Sequence, residues 1–213
     1  MYKVKIQGLN ETKEICMVDC WEDMTIQQFV ELNQILTADI PDTYRAVNLV
    51  SVLTNIPVDE LEGYPVTLFS RLNSRLEFLN TPIPKVKHQN EYVLNGRKYI
   101  LDADISAIST AQYIDYQEYI KENNPIQIMS LWLIPEGHKY NDGYSIEKVM
   151  LDIQDMKMLD VQAVAFFLQH QFATYILILA DYSKKEMKKM KMKKKDIQRL
   201  QTLLNNMASS LLS

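Results

Sequence analysis

The first part of the chain alternates hydrophobic and polar residues in a pattern that predicts a β-hairpin followed by a helix. Two β-prone runs, 4–7 and 15–18, flank a polar stretch at 8–12. Either Asp23 or Thr25 can cap the N-terminus of the helix that follows. Its apolar residues recur at helical spacing and are Ile26, Phe29, Val30, Leu32, Ile35 and Leu36.

The same order returns further along the chain. Apolar runs at 92–94 and 99–101 flank Asn95-Gly96, a pair that favours a type I′ hairpin turn. Ser109 or Thr110 can then cap a helix. Thr25 aligns with Ser109 and Gln28 with Gln112, both at an offset of 84 residues, so we predict a duplicated hairpin-plus-helix module. The apolar side of the second helix is predicted to be Ala111, Tyr113, Ile114, Tyr116, Tyr119 and Ile120.

Between and after these modules, the pattern is mainly helical. Helices are predicted at 42–53, at 66–79, from Ser145 onward, and from a cap at Asp160 through Ala180. A proline-containing stretch at 81–85 is the best internal linker. The predicted fold class is α+β, mainly helical, with two small antiparallel hairpins and a long C-terminal amphipathic helix. The predicted units are 1–84, 85–182 and 183–213.

The apolar stretch at 161–180 is interrupted at its centre by Gln169, His170 and Gln171. Polar side chains at bilayer depth are costly, so a buried helix is favoured over a membrane span. The first ten residues lack an apolar segment of signal-peptide length, so secretion by that route is not expected.

Motifs that define common enzyme classes are missing from the sequence. Glycine accounts for 5 of 213 residues, and no Walker A, G-x-G-x-x-G, G-x-S-x-G or H-E-x-x-H motif occurs. We therefore expect a protein without catalytic residues, cofactor or metal. The aspartate pairs 102/104 and 152/155 are interpreted as solvated surface rather than cation ligands. Cys16 and Cys20 are interpreted as reduced, buried thiols.

Charge is distributed unevenly along the chain. Residues 184–199 contain nine basic and two acidic side chains, a net charge of +7, whereas the rest of the chain carries −11. A solvated face or docking on an acidic protein is favoured for this segment, with phosphate contact to nucleic acid second and a membrane surface third. Its lysines are Lys184, Lys185, Lys188, Lys189, Lys191, Lys193, Lys194 and Lys195.

The C-terminal segment, predicted as one helix over 183–211, carries apolar residues at heptad spacing with Lys193 as a defect. We expect this seam to cross between subunits of a homo-oligomer or ring. The alternative is a helix that lies on its own domain. The seam residues are Met190, Ile197, Leu200, Leu204, Met207 and Leu211.

The decapeptide 135–144 is the most loop-like part of the chain, with two glycines and three rings. We predict an exposed contact loop in which His138, Tyr140 and Tyr144 bind a protein partner. The alternative is a passive connection between two elements.

Four stretches carry a family resemblance: 21–29 (WEDMTIQQF), 108–115 (ISTAQYID), 133–146 (LIPEGHKYNDGYSI) and 165–167 (AFF). Together they resemble small virion-morphogenesis proteins of tailed bacteriophages, some described as tail-assembly chaperones and others as virion-associated. The resemblance covers about 2–180 and excludes the basic segment.

The resemblance implies a non-enzymatic role in virion assembly, with other phage structural proteins as partners. It places the chain in the host bacterial cytoplasm during assembly, and a place in the virion is left open. The alternatives are a nucleic-acid-binding packaging or regulatory protein that acts through 184–195 and, third, an enzyme with a carboxylate-bound metal.

Overall fold

The computed structural model describes residues 1–7, 12–189 and 194–212. It begins with an antiparallel hairpin of β1 (Tyr2–Gln7) and β2 (Thr12–Met17), as predicted, while residues 8–11 lie outside the described chain. Helix α1 (Ile26–Thr37) follows, with Thr25 as its N-cap. The Thr25 hydroxyl accepts a bond from the Gln28 backbone N–H, and the Gln28 side chain accepts one from the Thr25 backbone. This capping box fixes the start of the helix.

Three further helices complete the first half of the chain. They are α2 (Asp42–Thr54), α3 (Val58–Glu62) and α4 (Val66–Asn73), and a 3₁₀ helix, Ser74–Asn80, continues from α4. Each of the three helices begins directly after a proline, whose fixed φ suits a helix entry. Asn55, with a φ of 53°, ends α2 in the left-handed region.

The second sheet contains one strand more than the sequence predicted. Strands β3 (Glu91–Leu94) and β4 (Arg97–Leu101) form the expected hairpin, with positive φ at Asn95 and Gly96. Strand β5 (Leu133–Pro135) then pairs antiparallel with β4. The apolar run at 126–134 conceals this strand, because its first part folds as α6 (Pro125–Ser130) and apolar composition alone does not separate helix from strand.

Serine caps begin two helices of the second half. Ser109 caps α5 (Thr110–Glu122), and Ser145 caps α7 (Ile146–Gln154), both as predicted. A short 3₁₀ helix, Ile105–Ala107, precedes α5. The fold class is confirmed: the chain is α+β and mainly helical, with two small antiparallel sheets.

One hydrophobic core extends across the boundary predicted at 84/85. It contains buried residues from Val4 through Leu168. The Ile26 backbone N–H donates to Met156 O, and the Met158 N–H donates to Met24 O, both at 2.9 Å. The two hairpin-plus-helix modules are thus packed into one body, and their origin by duplication stays a prediction.

The C-terminal region corrects two predictions. Helix α8 (Met158–Lys189) begins two residues before Asp160, the predicted cap, and extends well past Ala180. The single helix predicted over 183–211 is wrong, because a second helix, α9 (Lys194–Leu212), packs along α8. Since only four residues join two helices that lie side by side, they form an antiparallel hairpin.

Candidate interaction surface on the C-terminal helical hairpin

Helix α8 changes its surroundings along its length. Its first half packs in the body, where Val161, Val164 and Leu168 are buried. In its second half the buried residues Ala173, Ala180 and Met187 recur every seventh position. This spacing places them on one side of the helix, the side that packs on α9. We call residues 173–189 of α8 together with α9 the arm.

Helix α9 places its apolar residues on two sides. Ile197 and Ala208 are buried and Leu204 is half-buried, so part of the predicted seam packs against α8 of the same chain. This placement fits the alternative of a helix lying on its own domain. The other seam residues, Leu200 and Met207, are exposed together with Leu203.

Leu200, Leu203 and Met207 form a stripe at i, i+3 and i+7 on α9. They are 36%, 55% and 47% exposed, respectively. At 100° per residue, the stripe lies beside the α8-facing side of the helix and not on it. We call these three residues the α9 stripe. Within the described residues, no element of the same chain covers it.

Helix α8 is also less buried than the sequence predicted. Large apolar residues of its second half are exposed, which corrects the expectation of a buried helix, and they are Leu177, Ile178, Leu179 and Tyr182. By length and composition, Met158–Met187 could cross a membrane, a property that the core helices of many other proteins share.

An aromatic pocket of about 180 Å³ opens where α8 leaves the body. Tyr116 of α5 stacks on Phe172 of α8 at 5.3 Å between ring centroids, and Trp132 meets Phe172 edge-on at 5.7 Å. Leu179 lies seven residues after Phe172 and therefore on the same side of α8. In an antiparallel hairpin, that side and the α9 stripe belong to one surface, which extends from the pocket along the arm.

Helix α5 forms one wall of this pocket and buries only part of its predicted apolar side, since Tyr116 and Tyr119 pack against the core. Tyr113, Ile114 and Ile120, placed on its apolar side by the sequence, are each 45% exposed or more. The buried residue is Gln112, whose Nε2 donates to Leu131 O at 2.8 Å. Gln28, its predicted counterpart, donates in the same way to Val52 O at 3.4 Å. Ile120 lines the pocket, and Tyr113, three residues before Tyr116, lies on the same side of α5.

The lysine-rich segment occupies the end of α8 and the start of α9. Lys184 is half-buried and Lys185 and Lys195 are exposed, and Lys185 forms an ion pair with Asp181 at 2.7 Å. Met190, Lys191 and Lys193 lie outside the described residues. The same holds for the side chains of Lys188, Lys189, Lys194 and Leu211.

The loop 135–144 is held in shape by its own side chains. The Tyr140 hydroxyl donates to Asp115 of α5, and burial together with this carboxylate raises the pKa of Tyr140. Tyr144 packs on the core, and its ring meets the His138 ring edge-on at 5.8 Å. His138 is exposed, with Nδ1 2.9 Å from Asp142 O. All three predicted contact residues therefore have partners within the chain, and His138 is the exposed one.

Asp152, predicted as solvated surface, is buried at 4% exposure. It accepts bonds from Arg97 Nη1 at 2.8 Å, from Asn95 Nδ2 at 3.2 Å and from the Tyr99 hydroxyl at 2.5 Å. Burial and this carboxylate raise the pKa of Tyr99 to about 12. Three donors satisfy the buried carboxylate, so the cluster joins the second sheet to α7. No local motif in the sequence indicates this cluster, because Asn95, Arg97 and Tyr99 each lie 53 or more residues from Asp152 along the chain.

Near the N-terminus, the described residues include one group of three possible metal ligands, Asp19, Cys20 and Asp23, within 4.8 Å of one another. The Met1 ammonium binds both carboxylates, at 3.0 and 2.5 Å. Cys16 and Cys20 are free thiols and half-exposed, so the prediction that they are buried is wrong.

Comparison with known proteins identifies no relative: no family model, curated protein or solved structure matches the chain.

Proposed function

We propose that this chain is a non-enzymatic protein of bacteriophage virion assembly, acting as a tail-assembly chaperone or as a structural subunit of the tail or neck. The observation that carries the binding role is the apolar surface of the arm, where Leu200, Leu203 and Met207 are exposed beside a segment of charge +7. The resemblance of the body to phage morphogenesis proteins supplies the biological setting.

The exposed apolar residues support a binding role because they are contiguous. Single exposed leucines are common on protein surfaces, but a row of large apolar side chains beside an aromatic pocket is typical of interaction sites. Aromatic residues such as Tyr116 and Tyr113 are also enriched in protein interfaces. The surface therefore suits a protein partner, which for an assembly protein is another phage structural protein or a second copy of the chain itself.

Two of the aspartates considered as possible metal ligands, Asp104 and Asp152, favour a non-enzymatic role. Asp152 is saturated by three donors, and Asp104 accepts bonds from both the backbone N–H and the hydroxyl of Ser106. A divalent cation requires four or more converging oxygen ligands, and these two aspartates already serve as structural acceptors. This observation supports a non-enzymatic role.

A nucleic-acid-binding role through 184–195 is the second candidate, and the clustering of lysines at one end of the hairpin favours it. Lysines suffice for phosphate contact. However, this segment contains no aromatic residue on which bases could stack. We therefore rank this role below protein binding.

The test is deletion of the gene from the phage that encodes the chain, followed by electron microscopy of the lysate and complementation. For an assembly protein, we expect DNA-filled heads without functional tails and a fall in titre of about tenfold or more. Complementation by Leu203→Glu should fail where Thr202→Glu, with the same charge on another side of α9, restores the titre. Accumulation of empty heads would favour the packaging role instead. Normal particles at normal titre would contradict both.

A further inference from the structure

We propose that the uncovered surface of the arm binds a second copy of this chain, with the two arms antiparallel and related by a twofold axis near Leu203. This inference goes beyond the proposed function, because self-association holds whatever other partners the chain has. The three steps that lead to it concern the apolar stripe, the charge and the length of the arm.

The α9 stripe is arranged symmetrically about its central residue. Leu203 is the tenth of the 19 residues of α9, and Leu200 and Met207 lie three and four residues on either side. When two such helices pack antiparallel about Leu203, the two Leu203 side chains meet and each Leu200 faces the Met207 of the other copy. All of the stripe is then buried by an identical stripe, as a twofold interface requires.

Charge decides between the two possible directions. Parallel arms would bring together two segments of +7, which repel one another. Antiparallel arms place each +7 segment near the body of the other copy, which holds nearly all of the −11 that the rest of the chain carries. Helix α5, beside the aromatic pocket, contributes Asp115, Glu118 and Glu122 against the single base Lys121, and both glutamates are exposed.

The length of the arm agrees with this pairing. Lys189, at the end of α8, lies 17 residues after Phe172 in the pocket, a distance of about 26 Å at 1.5 Å per residue. Two antiparallel arms that overlap over this length bring the basic end of each arm to the pocket and α5 of the other. One arrangement therefore covers the α9 stripe and brings opposite charges together.

The association is tested by light scattering and sedimentation equilibrium on the full chain in low salt. We expect a dimer that weakens as salt rises, because exposed charge pairs are screened. Leu203→Glu places two like charges at the axis and should raise the dissociation constant by about 100-fold. Thr202→Glu adds the same charge to an exposed position outside the stripe and should leave the dimer intact.

The direction of the arms is tested by disulfide trapping in a Cys16→Ser, Cys20→Ser background. A mixture of Leu200→Cys and Met207→Cys chains should yield the mixed cross-link. Each variant alone should not cross-link, because antiparallel helices separate identical positions by about 9–12 Å along the axis, beyond disulfide reach.

Three results would overturn the proposal. The first is a monomer at every protein concentration, including one that instead sediments with phosphatidylglycerol vesicles, since the stripe would then meet lipid. The second is a dimer that Leu203→Glu leaves unchanged. The third is efficient cross-linking of either cysteine variant alone, which requires parallel arms. None of these results bears on phage titre, so failure here is separable from failure of the proposed function.

Discussion

The body and the arm use apolar residues in opposite ways. In the body, large side chains such as Trp132, Leu133 and Ile153 are fully enclosed, and the buried carboxylate of Asp152 is satisfied by three donors. In the arm, a narrow row that includes Ala173, Ala180 and Ile197 is buried, whereas Leu203 and Tyr182 are 55% and 61% exposed. The body encloses the large side chains of its core, and the arm adds a row of apolar residues, the α9 stripe, that no described element of the same chain covers.

This difference indicates two roles for apolar residues: they stabilise the fold in the body, and they bind another molecule on the outer side of the arm. Substitution in the body should lower the free energy of unfolding and affect binding only through stability. Substitution on the outer side of the arm should leave stability nearly unchanged and alter association. The three predictions below can refute this division, and they are ordered by the size of the expected effect.

The largest effect is expected for Trp132→Ala in the body. Trp132 is 1% exposed and packs edge-on against Tyr116 and Phe172, so its removal leaves a cavity where α5, β5 and α8 meet. We expect a loss of about 3–5 kcal/mol in the free energy of unfolding, measured by urea denaturation. Leu203→Ala on the arm should change this quantity by less than about 0.5 kcal/mol at protein concentrations where the chain is monomeric. Similar losses for both variants would contradict the division.

A smaller effect is expected for Asp152→Ala. The change leaves the buried Tyr99 hydroxyl without its acceptor and removes the partner of Arg97. Unpaired buried polar groups cost about 1–3 kcal/mol, so the urea midpoint should fall accordingly. Asp155→Ala is the matched control, because Asp155 lies on the same stretch of chain and bonds the same Asn95 but is exposed. If the two variants are equally stable, the buried cluster contributes nothing beyond a surface contact.

The elements that the sequence predicted correctly are those with local signals. Thr25, Ser109 and Ser145 mark helix starts by side chains that act within three residues, and Asn95-Gly96 marks its turn by backbone preference. Such signals do not depend on the rest of the fold. Each of these predictions is confirmed at the residue named or at one of two alternatives.

The elements that the sequence missed depend on contacts between distant residues. Strand β5 is defined by its pairing with β4, more than 30 residues earlier, and Asp152 is buried because Tyr99 and Arg97 reach it across the fold. The break between α8 and α9 falls in a lysine-rich stretch without proline or glycine, the residues that usually end helices. The heptad pattern of α9 can be read from the sequence. However, periodicity alone does not show which side of the helix packs against the rest of the same chain.

The smallest effect concerns the loop 135–144, which belongs to the body by packing although the sequence predicted a contact loop. Tyr140 is half-buried, and its hydroxyl donates to Asp115 of α5. Tyr140→Phe removes this bond while keeping the ring, so we expect a loss of about 1 kcal/mol in the free energy of unfolding. His138→Ala, at an exposed position, should leave stability within about 0.5 kcal/mol of the parent.

Thermal denaturation and dimer affinity measured together on both variants distinguish the two roles of the loop. If His138→Ala weakens the dimer at unchanged melting temperature, the loop contacts the second copy through the exposed ring of His138. If neither variant alters binding and Tyr140→Phe alone lowers the melting temperature, the loop is a connection whose tyrosine fastens it to α5.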